Sequence, residues 1–376
     1  MPAWSWPVMS DFDVIVVGGG PGGATAAAFC AQRGLHVALL EHSRFPRHKV
    51  CGDVINPNCW PVLEKLGAAA SIHALPHHDI DGVLFTAQGG RTITFPAPRR
   101  MTAIRRSLFD QALLEHARNC GVHVFEGDTV HEITLDKQVV ASQSRYQAGK
   151  GIIGADGRHS VVARRVGLVG RNPPGNGSIA FQAHFRATKA LDQRVQLHLF
   201  RGGYCGVVRV DAERVNLCIV TDRHGARFHN DCEALFAHTV GQNPSFRETG
   251  ITPEPLEPLQ SAHPLRGRMN VPARSGVFLV GDALRMMEPF TGQGILFALR
   301  TAELAAEAIG GPAQPERNYA ATVSRLYRQR GRTNDWLRRV MYCERTASAV
   351  FPFVQRAPHL MRWFADNVLG EEQRFR

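Results

Sequence analysis

Residues 12–17, Phe-Asp-Val-Ile-Val-Val, form a short apolar, β-branched run of the kind a parallel sheet buries on both faces. The run ends in glycines. An alanine-rich stretch from Ala24 to about Arg33 then reads as a buried helix stopped by Gly34, and a second apolar run, residues 35–40, ends at Glu41. The same grammar returns twice: residues 151–154 lead into Ala155-Asp156-Gly157, and residues 276–280 lead into Gly281-Asp282. After the latter comes a loop holding Pro289, then Gly292-Gln293-Gly294 and a helix over residues 295–309, stopped by Gly310-Gly311-Pro312. Between these landmarks the period changes to two. Ile179, Phe181, Ala183 and Phe185 alternate with Gln182, His184 and Arg186, and residues 195–199, 204–210 and 215–220 read as further strands. Residues 80–96 read as a hairpin around Gly89-Gly90, and the proline-rich residues 252–258 as a loop. The pattern predicts an α/β chain: a Rossmann-like unit, an inserted, mostly antiparallel sheet that roofs a pocket, and a helical C-terminal segment.

The first turn carries specific chemistry. Gly18, Gly20 and Gly23 make G-x-G-x-x-G, with Pro21 and Gly22 inside it. The first glycine permits the tight strand-to-helix turn, the second lets a pyrophosphate approach the backbone, and the third lets helix and strand pack closely. Glu41, at the end of the second strand, suits a free ribose 2′-hydroxyl, so FAD or NAD is expected rather than NADP.

The formal net charge of +11 looks at first like a nucleic-acid signal. It is concentrated: residues 312–376 hold twelve arginines against six acids, so more than half of the excess belongs to one segment. No recognition fold accompanies it, and nucleic-acid binding is not expected. The bland reading is a helical cap with Arg325, Arg328, Arg332 and Arg339 in water. The sharper one is peripheral contact with a membrane or a carrier protein. None of the eight cysteines stands at C-x-x-C spacing, no leader-like N-terminus precedes the first strand and no apolar run spans a bilayer. A cytoplasmic protein with reduced thiols, peripheral to a membrane at most, is expected. His73, His77, His78 and Asp79 cluster in sequence, but Pro76 interrupts the spacing, and no metal is expected.

The glycine fingerprint, Gly154-Ala155-Asp156-Gly157 and Val280-Gly281-Asp282-Ala283 with Pro289, Gly292 and Gly294, together resemble the FAD-dependent oxidoreductases of the p-hydroxybenzoate hydroxylase fold. Arg106-Ser107-Leu108-Phe109-Asp110 extends the likeness. Lys49-Val50-Cys51-Gly52-Asp53 and the helix text from Gly294 onward bring it nearest the geranylgeranyl reductase-like branch. The resemblance implies that Asp282 hydrogen-bonds a ribityl chain, that backbone N–H groups from Gly292 to Gly294 face the polar edge of the flavin, that Arg106 contacts the cofactor and that Asp156 lies near the pyrophosphate. It also implies FAD-domain segments at 10–78, 99–172 and 267–311. A substrate-domain hairpin at 79–98, a substrate-binding sheet at 173–266 and the basic helical segment at 312–376 complete the division. A halogenase reading is set aside, because no lysine lies between Lys65 and Lys137 to match the halogenases' active-site lysine.

The activity expected is oxidation–reduction of a hydrophobic small molecule, with FAD as cofactor and NADPH or NADH as electron donor. Monooxygenation with O₂ leads. Reduction of a C=C bond is the alternative, and an FAD-binding redox or structural module is the non-enzymatic one. Catalytic residues are not assigned, though Cys51 and Tyr204 are candidates for the pocket.

Overall fold

The computed structural model describes residues 10–87, 90–170, 178–187, 191–221, 243–263, 265, 269–287, 289–311 and 314–341, together with 234, 356, 357 and 359. For residues 10, 98, 187, 244, 247, 252, 253 and 329–341 only the backbone is described. The hairpin tip at Gly89, Cys232, Cys343, the side chains of Arg332 and Arg339, and nearly all of residues 342–376 lie outside that set.

Two sheets organise the chain. In the first, strand Ser10–Val17 lies between Val37–Glu41 and Arg145–Gly154, and His123–Glu126 and Val277–Leu279 extend it on either side, all parallel. Val14, Ile15, Val16, Leu39 and Ile152 are wholly enclosed, as strands covered on both faces require. Helix Pro21–Gln32 begins three residues before the alanine run. Proline is well tolerated at a helix start, and the helix therefore takes Gly22 and Gly23 into its first turn. It packs against helix Gly294–Ile309.

The second sheet has the strand order Ile251–Pro255, Ile179–Ala187, Arg214–Thr221, Gly203–Arg209, Arg194–Phe200, His78–Thr86, Thr92–Ala103, Val54–Ile55. It is antiparallel except where Arg194–Phe200 meets His78–Thr86. The proline-rich segment, expected to be a loop, supplies the strand Ile251–Pro255 on the edge of this sheet. An edge strand needs only half of its backbone groups for pairing, so prolines are tolerated there. Gln182 and His184, on the polar face of Ile179–Ala187, are buried, as are Phe181 and Phe185 on the apolar face. That polar face is turned inward, toward the first sheet's loops.

Helix Pro315–Met341 packs its Tyr319, Val323, Leu326 and Tyr327 inward and leaves Arg325 and Arg328 exposed. Tyr319 donates a hydrogen bond to Leu279 O at 2.6 Å, and the Tyr327 ring packs on Phe297. Among the described residues no helix is long and apolar enough to cross a membrane.

Candidate cofactor and substrate site

A cavity of about 480 Å³ lies between the two sheets, and both contribute to its walls. At one end is the glycine turn. Gly18 has φ +100°, and a Cβ added at Gly23 would fall 1.7 Å from Gly18 O, so strand and helix touch backbone to backbone there. No side chain caps helix Pro21–Gln32 and no acid sits in its first turn, which leaves its N-terminal N–H groups for an anion. Beside the turn, Gly19 N–H donates to Glu41 Oε2 at 2.6 Å and Ser43 N–H to Glu41 Oε1 at 2.8 Å. The Glu41 carboxylate is thus aimed by two backbone bonds. Arg47 reaches over the same turn, its Nη2 within 3.3 Å of where a Cβ on Gly20 would stand.

The middle of the cavity is polar and densely charged. Asp282 opens the short helix Gly281–Leu284, whose first N–H, that of Gly281, donates to Thr301 Oγ1 at 2.9 Å. Burial lifts the Asp282 carboxyl above its usual range, while the charges of Lys49, Arg106 and Arg158 pull the other way. Asp156 Oδ2 accepts from Val161 N–H at 2.6 Å and Val162 N–H at 3.1 Å, and burial lifts its carboxyl above the usual range too. Arg106 makes a two-point pair with the fully buried Asp110, Nε to Oδ1 at 2.7 Å and Nη2 to Oδ2 at 2.8 Å. Its guanidinium is therefore held rigidly at the cavity wall. Gly292 and Gly294 border the same space, and a Cβ on either would meet nothing within 4 Å. Pro289 lines it as well.

The far end is apolar. Val83, Phe85, Leu197, Tyr204, Val208 and Phe290 line it, with Phe290 stacked at a tilt on Phe85 and edge-on to Tyr204 at 5.4 Å. Cys51 stands at the junction of the two halves. Burial pushes its thiol up, against the opposing pull of Arg106.

A family profile described as FAD binding domain matches residues 11–317. The chain belongs to the FAD binding domain family. Conditioned medium factor receptor 1 of Dictyostelium discoideum is 27% identical over 82% of this chain, which spans 65% of that relative's length. Menaquinone reductase of Mycolicibacterium smegmatis is 27% identical over 78% of this chain and 75% of its own. The solved structure of the flavin-dependent brominase Bmp2 superposes with a TM-score of 0.80 at 20% identity, over 96% of this chain and 94% of that one, which is a likeness of fold.

The residues present fit FAD. Asp156 Oδ1 and Arg47 Nε are buried without a hydrogen-bond partner, one an acceptor and one a donor, and both border the cavity. Together with the uncapped helix start and the open space at Gly292 and Gly294, they match a long ligand carrying phosphates, hydroxyls and a ring with a polar edge. Gly18, Gly20, Pro21, Gly22, Glu41, Arg106, Asp156, Gly281, Asp282, Pro289, Gly292 and Gly294 all line this one cavity, and Gly23 packs directly behind it. Cys51 and Tyr204 line it too, at the junction and in the apolar half.

Arg47 and Arg158 escaped the sequence reading, and Lys49 entered it only as part of the 49–53 motif, with no role of its own. A basic residue in a loop has no periodicity to mark it. Only the tertiary fold turns these three cations toward Asp282 and the glycine turn. Burial lowers the affinity of both Lys49 and Arg158 for their protons, with Asp282 opposing the shift.

Proposed function

We propose that this FAD-dependent oxidoreductase acts on a hydrophobic, planar small molecule, and that its reaction is monooxygenation, with NADPH or NADH as the electron donor. The observation that carries the reading is the division of one continuous cavity into a charged half suited to the cofactor and an aromatic half without a charged side chain among its described lining residues. FAD supplies the two-electron chemistry when bound. The protein's part is to hold it and to keep the reacting centre dry.

Glu41 would bind the adenosine ribose, the helix start with Arg47 the pyrophosphate, and Asp282 the ribityl chain. The N-terminus of Gly294–Ile309 would favour negative charge on the ring edge it faces. The contiguous rings of Phe85, Tyr204 and Phe290 would form an aromatic wall against which the substrate lies, excluding water and protecting an oxygen-transfer reaction from futile side paths.

One observation favours a second reading, reduction of a C=C bond. Adding hydride to one carbon demands a proton for the other, and the Cys51 thiol, kept protonated by burial, stands where the two halves meet. The resemblance to a menaquinone reductase fits that reading. For halogenation the brominase likeness is one of fold, and the one lysine among the described lining residues, Lys49, faces Asp282 in the charged half rather than the aromatic one.

Turnover of purified holoprotein with NADPH or NADH and a panel of apolar aromatic compounds, with and without O₂, separates the readings. Label from isotopic O₂ in the product supports monooxygenation. Product formed equally well without O₂ overturns it, and loss of that product in Cys51→Ser then establishes the thiol's part in reduction.

A further inference from the structure

A buried, charged cluster joins the two sheets beside the cavity, and no step above uses it. His184, on strand Ile179–Ala187, is flanked by two carboxylates: Nε2 lies 2.7 Å from Asp53 Oδ2 and Nδ1 lies 2.5 Å from Glu257 Oε1. Asn216, its register partner on Arg214–Thr221, donates to the same Asp53 Oδ2 at 2.5 Å and to Cys51 O at 3.0 Å. Asp53 Oδ1 in turn accepts the Arg106 N–H at 3.1 Å. Asp53 has φ +58°, a left-handed conformation that these bonds hold in place, and it is 1% exposed. The loop so gripped carries Cys51 and Gly52, both of them cavity wall.

A neutral imidazole has one N–H and one lone pair. Placed between two carboxylates it would aim that lone pair at an anionic oxygen, so the geometry demands the doubly protonated ring. We propose that His184 is a positioning residue whose imidazolium locks the 51–53 loop, and with it Cys51 and Arg106, against the cofactor cavity, and releases that wall when its proton leaves. The inference rests on the FAD reading of the cavity.

The proton is well held. Burial alone would pull the imidazole down, but the bonds to Asp53 and Glu257 outweigh it and carry the group up to about 9. The other titratable groups close to the cluster are Cys51, Cys218, Arg106 and His48, the last 3.8 Å from Glu257. Burial pushes both thiols up, which disfavours their charged forms. Arg106 stays charged throughout. Loss of the His184 proton leaves Asp53 and Glu257 as two facing anions with no cation between them.

The test is the dissociation constant of FAD, read by flavin fluorescence on the full chain, followed from about pH 7 to about pH 10. Wild type is expected to weaken about tenfold across a single ionisation. His184→Gln should bind at the weakened level throughout, with a flat profile. Glu257→Gln keeps the ring but removes one carboxylate, so its transition should move to lower pH; a purely structural role would leave the midpoint unmoved. Ionisation of the flavin itself is common to all three proteins and cancels in the comparison. If His184→Gln fails to fold, Glu257→Gln decides alone. FAD bound with no pH dependence in wild type, or an unshifted midpoint in Glu257→Gln, overturns the clamp and leaves the cofactor reading intact. No FAD bound at any pH overturns both.

Discussion

One methyl group separates a working glycine turn from a blocked one. At Gly23 a Cβ would overlap Gly18 O at 1.7 Å, and both partners are backbone, so neither can step aside. Gly23→Ala should therefore yield protein without flavin, checked by the visible absorbance of the purified chain. Gly34→Ala is the control: space around it is open, its φ of +76° costs roughly 1 kcal/mol, and flavin content should be unchanged. The residues legible in the sequence are those whose chemistry is local. Gly18, Gly20, Gly23 and Glu41 act within one strand–helix–strand unit, and their spacing announces the site. His184 and Asp53 lie 131 positions apart, and nothing near either one predicts the other. His184 read as one polar position on an alternating strand, and only the packing of the two sheets turns that position into a buried ion.

Single elements were legible to the extent that their apolar pattern decides their structure. Helix Gly294–Ile309 ends at Gly310, as the glycines foretold. The strand Ile251–Pro255 was hidden by its prolines, because its existence depends on a free sheet edge that sequence does not display. Thr301 illustrates how one element serves another. From within helix Gly294–Ile309 its hydroxyl accepts the Gly281 N–H at 2.9 Å and donates to Phe297 O at 2.6 Å. Thr301→Val preserves the shape but leaves the buried Gly281 N–H without an acceptor, at a cost of about 1–3 kcal/mol. Thermal unfolding should show the loss, and FAD affinity should fall with it, because Asp282 is the next residue.

At the scale of the whole molecule, the His184 cluster ties stability to pH. Its proton is held above the ordinary imidazole value of about 6.5, so the contribution is complete below that pH and disappears as pH rises through about 9. Denaturant unfolding at neutral and at alkaline pH should differ by ~2–3 kcal/mol in wild type from this source, and by much less in His184→Gln. The two-sheet plan itself was readable, because the change from strand–helix alternation to period two marks where one sheet yields to the other. That the inserted sheet roofs a pocket was expected as well, but the charged part of its wall was not, because Arg47, Lys49 and Arg158 come from loops whose only common property is their destination.

The order of strands in the first sheet has a consequence for the birth of the protein. Strand Arg145–Gly154 needs Val277–Leu279 as its outer neighbour, yet most strands of the second sheet, from Ile179–Ala187 to Ile251–Pro255, are encoded between them. On the ribosome, some 120 residues must be added before that neighbour emerges, which takes on the order of ten seconds. Throughout that interval the nascent chain displays an open, apolar, hydrogen-bonding edge. The flavin cradle is therefore among the last features to close, and the waiting edge is where chaperones would find this protein and where an interrupted chain would aggregate.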